Sequence, residues 1–287
     1  MGAVYGASLT TARRRRWLLL LTVLLVSTTV LVLWRKRRHF LSVLAIFKNE
    51  EMSLETWLKH QVSQGVDHVY LIDNNSTDRS AKLLQPWIDS GVVTYAFVPE
   101  PHKQMVHIRS FIKSRGLQRT TDWLAICDID EYYFGTRFKL STTLRKFENF
   151  DVVYSHWLIF GYNNQVNQPV DVRLSNTMRH PGLDECKKYI FRPAVVDINK
   201  IHIHHVEYPT KRARRVTCED ELIHLNHYRL QSIVYYNTTK MGRGDVFNAS
   251  LDGLRTWDYF WGWNANSKQE DLTLKKIVLD PPADYWS

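Results

Sequence analysis

Cysteine is scarce in this chain. Three residues among 287, Cys127, Cys186 and Cys218, exclude a disulfide-built scaffold, because at most one bridge forms and one thiol is left over. Cys127 stands inside an apolar run and reads as a small core residue, so Cys186–Cys218 is the pair that a lumenal compartment would permit. No low-complexity linker or internal repeat divides the chain, and the 249 residues after position 38 are ample for one core. Acidic residues are absent from the first 38 positions, which hold eight basic ones: Arg13 to Arg16, Arg35, Lys36, Arg37 and Arg38. With a net charge of +9 overall, the remainder carries about +1 and lacks the basic surface of a nucleic-acid binder.

Charge of either sign is missing between Trp17 and Trp34. Eighteen apolar or hydroxyl-bearing residues at 1.5 Å each give a helix of ~27 Å, enough for a thin bilayer. Tryptophan at both ends suits the two interfaces. The run closes on Arg-Lys-Arg-Arg instead of a small-residue cleavage site, so an uncleaved signal-anchor is expected. The expected layout is a tail over 1–16, a transmembrane segment over 17–34, a short stem over 35–40 and one folded domain over 41–287.

Within that domain, apolar runs alternate with helical periodicities. Leu41 to Phe47 predicts a buried strand that ends at Lys48-Asn49-Glu50. Ser53 to Gln64 predicts a helix through Leu54, Trp57, Leu58 and Val62, stopped by Gly65. His68 to Ile72 is a second strand, ending at Asp73-Asn74-Asn75-Ser76. Thr77 to Ser90 predicts a helix, Val92 to Val98 a strand, and His102 to Thr120 a helix. Trp123 to Cys127 is a fourth strand. This succession predicts an α/β fold with a mostly parallel sheet covered by helices, whose ligands bind beyond the carboxyl ends of the strands. Three polar loops would converge there. Asn74, Asn75 and Ser76 equally suit a simple helix cap.

The fourth strand runs into Asp128-Ile129-Asp130-Glu131. In extended chain the side chains of Asp128 and Asp130 share a face while Ile129 returns to the core. Like charges held that close call for a cation, and Mn²⁺ or Mg²⁺ takes oxygen ligands while leaving positions for phosphate. On that pattern Asp130→Ala should abolish turnover and leave the fold intact. Asp-x-Asp alone is common, so the reading leans on the strand before it and the loops around it.

Lys48-Asn49-Glu50 with Glu55, Trp57 and Leu58, Gly65-Val66-Asp67-His68, Asp73 to Asp78 and Asp128 to Glu131 together resemble glycosyltransferase family 92 and related family 2-like enzymes. Trp157 to Gly161, His227 to Ser232 and Lys240 to Gly244 extend the likeness over most of residues 42–245. The resemblance implies a GT-A (Rossmann-like) fold, a Golgi anchor and a metal-dependent transfer of a hexose, galactose favoured, from a UDP-linked sugar to a glycan hydroxyl. It also implies a DXD metal site at Asp128 and Asp130, completed by His227, and a nucleotide contact at Asp73. Lys48, Asn49 and Glu50 would border the nucleotide, with Asn74, Ser76 and Asp128. Gly161 to Gln165 departs from the family pattern. Positive charge flanks the span on both sides and gives no vote on orientation. An enzyme of this kind would be single-pass type II with its domain in the lumen, and the sequons Asn237-Thr238-Thr239 and Asn248-Ala249-Ser250 are compatible with that.

If the reaction inverts, a carboxylate base is needed. Glu207, Glu219, Asp220 and Glu221 are candidates, with Asp220 and Glu221 preferred because they precede the stretch reaching His227. Asp151 to Gly161 predicts a strand and Lys187 to Pro193 an irregular one. Ile201 to His205 alternates, placing His202 and His204 on one side, either solvated or with one histidine near the donor phosphates. Lys211 to Arg215 reads as an exposed loop. Trp257, Tyr259, Phe260, Trp261 and Trp263 suit either a core or a sugar platform. Two rival functions are a nucleotidyltransferase, for which a glycine-rich loop after the first strand is missing, and an inactive membrane-anchored scaffold on the same fold.

Overall fold

A computed structural model describes residues 38–207, 213–218, 222–241 and 255–286. The expected tail and membrane span, Lys211 and Arg212, the carboxylates at 219–221, Arg243 to Asp245 and the Asn248 sequon lie outside these residues. Among the described residues no helix is long and apolar enough to cross a membrane.

The strands are β1 (His39–Phe47), β2 (His68–Asp73), β3 (Val93–Phe97), β4 (Thr121–Ile126), β5 (Glu131–Gly135), β6 (Val152–Ile159), β7 (Met178–Arg179), β8 (Lys187–Phe191), β9 (Arg215–Cys218), β10 (Ile223–His227) and β11 (Gln269–Glu270). The helices are α1 (Leu54–Ser63), α2 (Ser80–Asp89), α3 (Gln104–Ser114), α4 (Leu117–Thr120), α5 (Leu140–Leu144), α6 (Val172–Ser175), α7 (Ile233–Tyr235), α8 (Trp257–Asn264) and α9 (Thr273–Leu279). A π-helical turn, Tyr236–Lys240, continues α7.

Nine strands form one sheet in the order β3-β2-β1-β4-β8-β6-β10-β5, with β9 also on β6. The first four are parallel. β8 then runs antiparallel to both β4 and β6, and β5 antiparallel to β10. The sheet is therefore mixed, a correction to the mostly parallel expectation. Its parallel half follows from the βαβ rhythm, whereas β8 arrives from far along the chain and joins the two halves.

Alternation explains the two cores. Leu41, Val43, Ala45 and Phe47 of β1 pack on one face with Trp57 and Leu58 of α1 and Leu84 of α2. Leu44, with Leu124 and Ile126 of β4, packs on the other with Ile108, Phe111 and Ile112 of α3. The helical pattern expected over 102–120 breaks at Gly116, whose φ of +65° suits a residue without Cβ. α2 begins only at Ser80, because Ser76 and Asp78 serve the loop before it: the Asn49 amide donates to Ser76 Oγ at 2.9 Å and the Glu51 amide to Asp78 Oδ2 at 3.0 Å. Lys187–Phe191, expected to be irregular, is a regular strand with Tyr189, Ile190 and Phe191 buried.

No disulfide joins Cys127, Cys186 or Cys218 to another described residue, so the Cys186–Cys218 pairing is not made. Ile201 to His205 is not a strand. A single bridge joins Ile201 to Val206, His202 stacks on His205 at 4.5 Å, and His204 turns away to meet Trp157 at 5.0 Å. His202 and His204 therefore do not share a face.

Candidate active site

The loops after β1 and β2 leave the same end of neighbouring parallel strands and are stitched together. The Thr77 amide donates to Asn49 Oδ1 at 2.7 Å and the Glu50 amide to Ser80 Oγ at 3.0 Å. Asn49 and Asn75 hold φ of +54° and +65°, values that asparagine tolerates better than other side-chain-bearing residues. Asp73 is buried. Its Oδ1 accepts the Ser76 amide at 2.8 Å and its Oδ2 the Tyr95 hydroxyl at 2.9 Å. Asn74 donates to the Val98 and Glu100 carbonyls, both at 2.9 Å. Asn49, Asp73 and Ser76 thus form one cluster. Lys48 borders it in sequence, and Glu50 turns elsewhere, accepting the Tyr235 hydroxyl at 2.9 Å.

β4 delivers the second cluster. Beyond Ile126 the chain is not extended: the Glu131 amide closes a turn onto the Asp128 carbonyl at 3.0 Å. Ile129 is buried in the core, placed there by the turn and not by strand alternation. The turn sends the two aspartates to different partners. Asp128 Oδ2 meets Lys188 Nζ of β8 at 2.9 Å. Asp130 Oδ2 meets Lys240 Nζ at 2.6 Å and His227 Nε2 at 3.3 Å. Asp130 is nearly sealed, whereas the Asp128 side chain remains 34% exposed.

Glu131, the third carboxylate, is wholly buried at the start of β5. Its Oε1 accepts the Trp157 indole N–H at 2.8 Å and its Oε2 the Asp128 amide at 2.8 Å, with Lys188 Nζ at 3.4 Å. Its backbone carbonyl receives the Trp57 indole at 2.9 Å. Two tryptophans therefore fix the turn that holds the aspartates. Trp157 also lies against the rings of His227 at 4.4 Å and His204 at 5.0 Å.

Burial alone would raise the carboxyl of Asp130, but Lys240 and His227 outweigh it and hold it well below the usual range. Asp128 is lowered as well, Lys188 overcoming burial and the repulsion of Asp130. Glu131 is pushed up to about 8 by burial, against the pull of Lys188 and with the push of Asp128 and Asp130. Burial lowers His227 despite Asp130. Burial, with Lys188 close by, lowers His204 to about 4.

Asp130 and His227 are brought together from the turn after β4 and from β10, Asp128 stands apart on Lys188, and Asn49, Asp73 and Ser76 are brought together from the loops after β1 and β2. No hydrogen bond or ion pair among the described residues joins the two clusters directly; β2, which carries Asp73, stands two strand spacings, about 10 Å, from β4. Asp220 and Glu221 fall outside the described residues. β10 carries Ile223 roughly 14 Å from His227. Glu207 is described, exposed and paired with His202 at 2.7 Å and Lys200 at 3.2 Å. Sequence reasoning gave no role to Lys188, Lys240 or Trp157. The one available signal was Lys188 itself, a charged residue inside the apolar strand Lys187–Phe191. Of the aromatic tail, Phe260 is buried in a satellite core and Trp261 is 47% exposed.

Two carboxylates and an imidazole form a donor set with the chemistry that Mn²⁺ or Mg²⁺ accepts. Among the described residues His227 Nδ1 is buried with no hydrogen-bond partner, leaving that ring a spare nitrogen. No three His, Cys, Asp or Glu side chains among the described residues converge on one point as they stand, and one oxygen of each aspartate is taken by a lysine. The set fits such an ion in composition, and both lysines stand in its way.

The fold and these clusters define an α/β domain with acidic and polar loops gathered at the carboxyl ends of parallel strands. The glycosyltransferase family 92 model matches residues 40–276, so the chain belongs to that family. Two curated family 92 proteins, from Oryza sativa subsp. japonica and Ricinus communis, are each 21% identical over 204 residues. Those matches cover 69% and 68% of this chain but only 34% and 36% of the relatives, so the chain spans about a third of their length. Among solved structures, S. aureus TarS 1–349 in complex with UDP is 12% identical with a TM-score of 0.43, over 67% of this chain and 62% of that one. That likeness is too slight to bear on function.

Proposed function

We propose that this protein is a glycosyltransferase that moves a hexose, galactose favoured, from a UDP-linked donor to a hydroxyl of a glycan acceptor. The observation that carries the reading is the approach of His227 Nε2 to within 3.3 Å of Asp130 Oδ2, across 97 residues of sequence, at the carboxyl end of β4. Asp128, Asp130 and His227 would hold Mn²⁺ or Mg²⁺. Such an ion supplies positive charge to the departing nucleoside diphosphate.

The remaining work falls to the chain. Asp73, Asn74 and Ser76, with Lys48 and Asn49, border the nucleotide, and Glu50, turned onto Tyr235, holds their loop from behind. Trp57 and Trp157 fix the turn so that the aspartates keep their place. The proton of the acceptor hydroxyl goes to a carboxylate, for which Asp220 and Glu221 stand as the assignment. The span over 17–34 would anchor the enzyme in a Golgi or other secretory-pathway membrane, with this domain in the lumen.

Isothermal titration of the protein with UDP, with and without Mn²⁺, tests the reading, together with a screen of donor hydrolysis across UDP- and GDP-sugars. Metal-dependent UDP binding and turnover of a UDP-hexose are expected. Binding that ignores Mn²⁺, or turnover confined to GDP-sugars, would overturn it.

A further inference from the structure

The paired aspartates already have counter-charges within the chain, and the two lysines that supply them are not equivalent. Lys188 is fully enclosed in β8 and spans Asp128 and Glu131, at 2.9 and 3.4 Å. A β-strand with both neighbours in place fixes it. Lys240 is 4% exposed and sits on Asp130 at 2.6 Å, but it ends the π-helical turn Tyr236–Lys240. Wide turns of that kind recur at functional sites. Lysine is among the residues least often buried, and burying its ammonium costs stability unless a close partner offsets it. Tyr235, in the same turn region, hydrogen-bonds Glu50 of the β1 loop and lies under the Lys240 ammonium at 5.5 Å. The turn thus touches both the nucleotide-side loop and the metal-side carboxylate.

We propose that Lys240 is a charge latch on Asp130, which competes with a divalent cation for that carboxylate and yields it when a nucleoside diphosphate adds negative charge to the same place. This rests on the metal reading above. An ammonium and a divalent ion on one carboxylate repel each other, so the ion alone binds weakly. A diphosphate attracts both cations and removes the conflict. Lys240 therefore couples the two affinities, and by linkage each ligand raises the other's affinity by the same factor. Lys240 is a positioning residue in this scheme, acting through Asp130.

The test is a Mn²⁺ titration of the full-length protein in detergent, followed by the electron paramagnetic resonance signal of free Mn²⁺, with and without UDP. In the wild type, UDP should raise Mn²⁺ affinity at least tenfold. Lys240→Gln, which keeps a hydrogen-bond donor for Asp130, should bind Mn²⁺ alone at least tenfold tighter than the wild type and gain little from UDP. Lys240→Arg should behave as the wild type. A second measurement uses only the wild type: acetylation of amines, read by mass spectrometry, should rise at Lys240 when Mn²⁺ is added and stay constant at Lys188. Equal Mn²⁺ affinity in the wild type and Lys240→Gln overturns the latch. Should that variant fail to fold, unchanged labelling of Lys240 overturns it instead. If neither protein binds Mn²⁺ even with UDP present, the metal reading falls and the latch falls with it.

Discussion

Asp130, proposed to hold the metal, also carries stability. Truncation to alanine removes a carboxylate and strands the buried ammonium of Lys240, a loss on the order of 3–5 kcal/mol. Asp130→Ala is therefore expected to lower stability as well as turnover. Asp130→Asn keeps the volume and an acceptor, and is the sharper probe. It should lower transfer about a hundredfold or more, with an unchanged far-ultraviolet circular dichroism spectrum and a melting temperature a few degrees lower. The aspartates themselves were legible, because carboxylates directly after an apolar strand are unusual. Their lysines were not, because lysine ordinarily reads as surface, and the one hint, Lys188 inside an apolar stretch, gains its meaning only from the folded register of β8. Trp157 was legible as an apolar strand residue. Its indole bond to Glu131 depends on a turn that no local pattern announces.

At the scale of elements, β1, β2, β3, β4 and α1 were readable because each keeps one periodicity from end to end and stops at a polar loop or glycine. β5 was missed: it begins at Glu131, a residue that belongs by composition to the acidic turn before it. Its far end sets a steric test. A Cβ on Gly135 would collide with the Phe138 carbonyl and with Thr143 Oγ1. Gly135→Ala should cost about 3 kcal/mol, measured as a lowered urea midpoint, whereas Gly182→Ala has open space around its Cβ and should lose only the smaller penalty of its positive φ. The histidine stretch at 201–205 misled for a different reason. Alternation over five residues is too short to distinguish a strand from a bridged turn, and the stacking of His202 on His205 breaks it.

For the whole molecule, buried ionisable groups set the response to acid. His60, His68 and His204 are lowered from 6.5 to about 3, about 4 and about 4, chiefly by burial. Each lowered histidine is neutral when folded and takes a proton when unfolded, so its contribution is lost as pH falls below 6.5. Glu131 has the opposite sign: raised to about 8, it costs stability as pH climbs from 4.5 toward 8. Between 4.5 and 6.5 three histidines oppose one glutamate, so the unfolded chain binds the more protons and stability rises with pH. A shallow optimum near neutrality is expected, read from urea midpoints between pH 5 and 8. His60→Gln should remove about 2 kcal/mol of the difference between pH 7 and pH 5. Asn237 is exposed while Thr239 of its sequon is buried, so any glycan there has to be attached before the turn closes. If the domain is lumenal, as proposed, expression in a secretory host should give a mass increment that N-glycosidase removes and Asn237→Gln lacks.

The late arrival of β8 between β4 and β6 has a consequence for biogenesis. A chain emerging from the ribosome completes β1 to β4 first, and β4 then presents an unpaired edge until some sixty further residues have been made, ~3–12 s of translation. Such an edge is a template for wrong pairing with another nascent chain. The half-built sheet is therefore the species on which a chaperone would act, and substitutions that slow the docking of Lys187–Phe191 should appear as reduced yield before they appear as reduced turnover.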